Sequence, residues 1–454
     1  METKNKFFNK LTNLLFFFSI LFFTIGLNLQ DNPPSGWYQQ FIPDVNNRPI
    51  NDIEFLDSLI GFAVTGNSTV GDTNYIIKTT NGGNNWIINF SAYKDFARVI
   101  FINSNTGFVC GGLNTVNGVI YKTTNQGANW SQLNTPFGLE FKDMSVLNED
   151  TIWVVDDHTL GGGVFRTTNG GQNWTQQFSG GSQNPDKIYM YNREMGFFSD
   201  GLTHQALYKT TNSGLNWNTV LGENGFLDMY FVDSLNGWKA RGNMKMTTNA
   251  GMNWQTQTLP PVGGIVLSSL IDNFEVINND SIWGVGAEAF FNPGQFRGLI
   301  YKTTNKGESW GYQLPDTSIH IVKYYQVDFV NKLCGWSYHP YSGVHTVTGG
   351  GDTTYYTGIN QVSNEIPKGF KLYQNYPNPF NPITKIKFDI SKSMDIKLIV
   401  YDILGKEVAV LANERLNSGS YEVNWNGTDY TSGVYFYSLK TKDFSETKKM
   451  LLIK

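Results

Sequence analysis

At 454 residues the chain exceeds one ordinary hydrophobic core, so two or more domains are expected. Charged residues make up only 16%, aromatics reach 15% and Gly numbers 47, a balance that excludes a long-helix architecture and suits short strands joined by tight turns. A net charge of −4 argues against nucleic acid as the main ligand, since that needs a basic face. The charge is uneven: from Lys368 to Lys454 there are 13 Lys and Arg against 9 Asp and Glu, and elsewhere 21 against 29. An acidic body joined to a basic tail predicts a domain boundary near residue 365.

In chain order, the first element is a leader. Lys4, Lys6 and Lys10 precede an apolar run from Leu11 to Leu27, the pattern of a secretory signal peptide over residues 1–30. The run is about 17 residues long, at the short limit for crossing a bilayer, and it contains Asn13, Ser19 and Thr24. A cleaved signal is therefore expected rather than an anchor.

The body is repetitive. One phrase begins Lys78-Thr79-Thr80-Asn81-Gly82-Gly83 and ends at Trp86. It returns around Asn125, Gly127 and Trp130, then Asn169, Gly171 and Trp174, then Asn212, Gly214 and Trp217. Two more copies hold Asn249, Gly251 and Trp254, then Asn305, Gly307 and Trp310. A decayed seventh copy spans Val347 to Asp352. The tryptophans are spaced 44, 44, 43, 37 and 56 residues apart. Between copies lies a second phrase, as in Phe55…Gly61-Phe62 or Phe231…Gly237-Trp238, with seven occurrences. Four short strands in a period near 44 residues make the blade of a β-propeller.

The Thr and Asn side chains are expected to bond the turn backbone, Gly to supply positive φ, and Trp to fill the seam between sheets. The box tryptophans are thus read as structural rather than as sugar-stacking groups. Seven inner strands need seven Trp-led outer strands, and the seventh box lacks its Trp. Trp37 is expected to supply it, closing the last blade with the chain start. The competing closure uses Thr354-Tyr355-Tyr356.

This repeat resembles the Asp-box of sialidase-type propellers, and most closely the seven-bladed Ycf48-like propellers, over residues 35–360. The resemblance implies an all-β, seven-bladed propeller over 31–360. Asn stands where that family usually has Asp in every intact box, which weakens any argument for cation binding.

After a polar connector at 361–370, Asn375-Tyr376-Pro377-Asn378-Pro379-Phe380 cannot be a central strand. Strand-like runs follow at turn-bounded intervals, a small sandwich over 371–454. The segment resembles the type A C-terminal sorting domain of the type IX (Por) secretion system. The matching phrases carry Asn375, Pro377, Asn378, Pro379 and Phe380, then Tyr401, Asp402 and Gly405, then Gly433, Val434 and Tyr435, and finally Lys449 to Lys454. That likeness implies export through an outer-membrane machinery as partner, and an extracellular or cell-surface location.

Catalytic signals are weak. The propeller holds six arginines, Arg48, Arg98, Arg166, Arg193, Arg241 and Arg297, but Asn47-Arg48-Pro49-Ile50 does not match the sialidase signature. Candidate carboxylates for a glycosidase are Asp44, Asp52, Asp156, Asp157 and Asp228. Asp156-Asp157-His158 is read as a polar loop, and His204, His320, His339 and His345 lack ligand spacing. Cys110 and Cys334 are expected as buried thiols. No catalytic, metal or cofactor residue is assigned. The reading is a non-enzymatic propeller binding a protein or glycan, with Pro260–Asn273 and Glu288–Gly298, the insertions behind the 56-residue spacing, as the candidate loops. A glycosidase, marked by converging channel carboxylates, and an assembly factor, marked by an arginine patch, are the alternatives.

Overall fold

The computed structural model describes residues 36–454 except 44, 67–71, 114–115, 136–139, 157–161, 180–183, 201–205, 261, 263–264, 293–294, 352, 356–359, 364 and 428–429. The expected leader therefore lies outside the described residues. The described chain is strands and turns throughout, and the strands form nine sheets. Seven are successive blades of a propeller, the expected all-β fold.

Blade 1 runs outward through Ile50–Phe55, Gly61–Thr65, Asn74–Thr79 and Ile87–Ala92. The inner strands of blades 2 to 7 are Asp95–Phe101, Phe141–Val146, Pro185–Met190, Asp228–Phe231, Ile271–Ile277 and Gln326–Phe329. Blade 7 takes its outer strand from the start of the chain: Tyr38–Phe41 pairs antiparallel with Ser342–Thr346. Thr354–Tyr355 pairs instead with Gly311 and Tyr312 on the rim of blade 6. The ring is thus closed by the strand behind Trp37. Trp37 is fully buried, meets Phe329 edge-on at 6.0 Å, and donates its indole N–H to Gln313 Oε1. Trp310 of blade 6 donates to Gln257, three residues after Trp254, just as Gln313 stands three after Trp310. Trp37 therefore occupies the seat of the missing seventh box tryptophan.

Each box turn is built as its side chains dictate. Thr79 Oγ1 accepts the backbone N–H of Gly83 at 3.0 Å and donates to Asn81 Oδ1, which accepts the N–H of Asn85 at 2.9 Å. The same bonds recur around Asn125, Asn169, Asn212, Asn249 and Asn305. An amide oxygen suffices for these bonds, so Asn replaces Asp without loss of the turn. Gly83, Gly127, Gly171, Gly214, Gly251 and Gly307 all have φ between 75° and 86°. In blade 7, Thr346 Oγ1 still accepts the N–H of Gly350, so the decayed copy keeps its turn.

The second phrase encodes the packing between strands. Phe55, Phe101, Phe231 and Phe329 on inner strands lie opposite Gly61, Gly107, Gly237 and Gly335. Where the inner residue shrinks to Val146 or Val276, its partner grows to Ile152 or Ile282. A Cβ on Gly237 would sit 2.6 Å from the Phe231 ring. The freed rings stack across seams: Phe55 lies 3.5 Å from Trp336 of blade 7, and Trp283 lies 4.1 Å from Phe329. A cation at the head of the box completes the seam. Lys209 reaches over Phe197 and donates to the carbonyl of Ala250 in the next blade, and Lys78 and Arg166 do the same at Gln126 and Ser213. Met246 cannot donate, and there the indole of Trp238 reaches Lys306 O.

The C-terminal segment forms two four-stranded sheets. One is ordered Asn360–Ser363, Gly419–Asn426, Ile383–Ile390, Lys371–Leu372; the other Glu407–Leu416, Met394–Tyr401, Gly433–Thr441, Ser445–Leu452. Ile386, Phe388, Leu398, Val400, Trp425, Tyr437 and Met450 fill its core. Asn360–Ser363, at the start of the expected connector, is an edge strand of this sandwich.

Trp37→Ala should cost about 3–5 kcal/mol by the usual toll of deleting a buried aromatic, read from urea unfolding. Gly237→Ala should cost about 1–3 kcal/mol through overpacking. Ala250 holds φ 60° in the seat where other boxes place Gly82 or Gly170; Ala250→Gly should therefore gain about 0.5–1 kcal/mol.

Candidate functional site

The box turns and the turns between first and second strands share one face, tied in each blade by a bond such as Gly82 N–H to Leu59 O or Ala250 N–H to Leu235 O. The connections between blades, and between second and third strands, emerge on the opposite face. Both insertions lie there, and the structure brings them together. In blade 6 the second and third strands extend to Ser281–Asn292 and Gln295–Thr303, and Ile265–Val266 joins them as a third strand. The result is a three-stranded flap. Ile265 pairs with Phe290 and Phe290 with Phe296, so the three side chains form one row on one side. The two Phe rings are 5.0 Å apart, and Ile265 and Phe296 are 63% and 40% exposed. On the other side, Ala289 and Val266 pack with Trp238, Ala240 and Met244 of blade 5. Gly298 anchors the flap toward blade 7 by donating to Ile321 O at 2.9 Å, its Cα facing the Tyr324 ring.

The channel is the second candidate region. Its walls are alternate residues of the seven inner strands. One level carries Asp52, Arg98, Asp143, Lys187, Asp228, Asn273 and Gln326, the next Glu54, Ile100, Ser145, Tyr189, Tyr230, Glu275 and Asp328. The innermost strand of a blade has no further strand to accept its outward N–H groups, and side chains of the preceding blade accept them. Asp52 and Glu54 take Val99 and Phe101 N–H, Asp143 and Ser145 take Ile188 and Met190, and Tyr189 takes Phe231. Asp228 takes Phe274, Asn273 takes Val327, and Asp328 closes the circle on Phe55. Blade 2 presents Arg98 and Ile100, neither an acceptor. The Arg98 guanidinium instead bridges Asp52 at 3.4 Å and Asp143 at 3.7 Å.

Crowding these carboxyls into the channel favours their neutral forms. Burial pushes Asp228 up to about 6 despite the opposing pull of Arg98. Burial, with the nearby Asp328, holds Glu54 and Glu275 well above the usual carboxylate range, and burial raises Asp328 itself.

Of the expected carboxylates, Asp52 and Asp228 line this channel, Asp156 ends the second strand of blade 3, and Asp44, Asp157 and His158 lie outside the described residues, as does His204. Glu54, Glu275 and Asp328 were missed by the sequence reading. The signal was present, since they stand one residue before Phe55, Val276 and Phe329 of the second phrase, yet only blade alignment reveals that register. Among the described residues no cluster of three or more His, Cys, Asp or Glu is arranged to hold a metal ion. Four of the six arginines make separate contacts: Arg48 pairs with Asp72, Arg98 is in the channel, Arg166 covers Trp153 and Arg297 caps Pro315, while Arg193 lies near Arg166 and Arg241 near Asp186 and Asp272. Cys110 and Cys334 are buried free thiols. Cys334 Sγ lies 3.7 Å from His345 Nε2, but burial pushes the thiol up to about 11 and the imidazole down to about 4, so neither is charged at neutral pH.

In the tail, Asn375 is buried, donating to Pro377 O and Thr384 Oγ1 and through its backbone to Tyr437 Oη. Phe380 and Asn378 bond Leu451 and Lys449, so the proline loop with Pro377 and Pro379 covers the free edge of the last strand. Asp402 Oδ1 caps the turn after Tyr401 by accepting Leu404 and Lys406 N–H, with Gly405 at φ 80°. Gly433, Val434 and Tyr435 pair with Leu452, Leu451 and Met450, and Lys449 and Lys454 are exposed.

Comparison with known proteins finds two family models. Residues 374–454 match the family model of the secretion system C-terminal sorting domain, and residues 32–188 that of the photosynthesis system II assembly factor YCF48. None of the curated proteins matches the chain. Among solved structures, YCF48 bound to D1 peptide is 17% identical, covering 69% of this chain and 97% of that one with a TM-score of 0.49. A Bacteroides thetaiotaomicron protein of unknown function is 10% identical over 68% and 72%, TM-score 0.40. A Mycobacterium tuberculosis puromycin-hydrolyzing peptidase is 12% identical over 78% and 60%, TM-score 0.45.

The channel predicts a pH dependence. A carboxyl whose pKa is raised on folding holds more protons folded than unfolded between about pH 4 and its folded value, near 6 for Asp228. Stability should therefore fall as pH rises through that window. Urea unfolding at pH 5 and pH 8 should show the higher stability at pH 5, and Glu275→Gln should narrow the difference.

Proposed function

We propose that this chain, a YCF48-type propeller segment joined to a secretion-system sorting domain, is exported to the cell surface or medium, where it binds a protein or glycan without catalysis. The sorting-domain match over 374–454 supports type IX export, with its outer-membrane machinery as the partner of the tail. The binding role rests chiefly on one observation. The two insertions that break the repeat spacing converge in a flap whose solvent side is the apolar row Ile265, Phe290 and Phe296. Apolar rows of this kind on a rigid scaffold are the surfaces that partners cover.

A glycosidase would need channel carboxyls free to work on a substrate. Here Asp52, Glu54, Asp228 and Asp328 each hold a backbone N–H of the neighbouring blade, a role in ring assembly. An assembly factor that works through an arginine patch is disfavoured because four of the six arginines are spent on separate contacts. The reading divides the chain into a signal peptide at 1–30, the propeller over 31–360, a linker at 361–370 and the sorting domain over 371–454.

Deleting 374–454 should leave the propeller inside the producing cell, while the full chain reaches the medium or the outer surface, as read by fractionation and immunoblotting. Retention outside without the tail would refute the export half. The double substitution Ile265→Ser and Phe296→Ser should lower binding of the purified full chain to cell envelopes about tenfold or more, with its melting temperature unchanged. Unaltered binding would reject the flap as the contact surface.

A further inference from the structure

We propose that the rim of blade 7 is a carbohydrate subsite in which Tyr325, His339 and Tyr341 present their rings to the apolar faces of neutral pyranose sugars. Tyr325 precedes the inner strand, His339 ends the second strand, and Tyr341 lies in the turn that follows, all on the flap-bearing face. The ring centroids step 5.7 Å from Tyr325 to His339 and 6.3 Å on to Tyr341. Tyr325 and Tyr341 are 48% and 49% exposed, so the row is not part of the core.

The repeat does not require these aromatics. The seat of Tyr325 is held in other blades by Asn51, Ala97, Lys142, Asp186, Leu227 and Asp272. The seat of His339 is held by Thr65, Gly111, Asp156, Asp200, Arg241 and Gly286. No other blade places an aromatic residue in either seat, so three adjacent rings in one blade need another reason. The platform is also rigid. Tyr325 N–H donates to Tyr338 O at 2.8 Å, and Ile50 N–H to Pro340 O at 3.0 Å, clamping the turn from blade 1. Side chains held in advance lose little freedom on binding.

Charge and size select the ligand class. Lys323 Nζ stands 5.0 Å over the Tyr325 ring, and Asp272 lies 3.5 Å from that ammonium, so the nearest charges offset. Burial lowers the His339 pKa, keeping the imidazole neutral at pH 7. The neutral rings, tilted 58° and 53° to their neighbours, offer separate faces rather than one flat platform. A specific protein interface buries about 800 Å² on each side, far more than three half-exposed rings offer.

This inference deepens the binding reading above and rests on it. The purified full chain should be titrated by calorimetry with cellohexaose, laminarihexaose, mannohexaose and N-acetylchitohexaose. At least one should bind with a Kd of about 1 mM or tighter. Tyr341→Ala and Tyr325→Ala should each weaken it about tenfold or more, while Tyr341→Phe, which keeps the ring, should bind within about twofold of the parent. No binding up to about 10 mM of any of the four sugars overturns the subsite, as does binding that survives both alanine substitutions. If envelope binding still depends on Ile265 and Phe296 while the sugars fail, the flap reading stands and only the subsite falls.

Discussion

An innermost β-strand facing a channel has backbone N–H groups with no strand to accept them, and unpaired polar backbone is among the costliest defects a fold can carry. Every blade but the second supplies acceptors for the next, and there Arg98 bridges Asp52 and Asp143 instead. Asp52, Asp143, Asp228, Asn273 and Asp328 recur at one or other of two levels of the inner strands, and each reaches a backbone N–H one blade further on. The bond from Asp328 to Phe55 makes this circular. A linear stack would leave that acceptor and that donor unmatched.

The same constraint accounts for the acidity of the channel. The side-chain acceptors are carboxylates, amide oxygens and hydroxyls, and ionised carboxylates are the strongest of these. Seven blades with repeated carboxylates accumulate like charge, relieved by Arg98 and Lys187 and by raised pKa values at both levels. Acidity here is a consequence of ring assembly.

Around this frame the seams are filled by exchangeable parts. Phe opposite Gly and Val opposite Ile conserve volume across each pair of inner strands, and Lys, Arg or a Trp indole donates to the next box carbonyl. The scaffold tolerates substitution within these rules, which leaves the opposite face available for insertions. The flap of blade 6 and the aromatic rim of blade 7 depart from the repeat without disturbing it.

The number of blades, the box turns and the closure by the strand behind Trp37 were legible in the sequence because they depend on local chemistry. Thr, Asn and Gly at fixed spacing define a turn whatever surrounds it, and a missing Trp in one box with a spare Trp at the chain start has one economical solution. The strand-bearing tail was legible for the same reason, through its proline loop and alternating runs. Tertiary structure alone decided the rest. It placed Glu54, Glu275 and Asp328 in one channel although 221 positions separate the first two in sequence. It also paired Ile265 with Phe290 and set Tyr325 beside His339. Those contacts depend on register between strands far apart in sequence and on the curvature of the ring, which no local pattern of residues encodes.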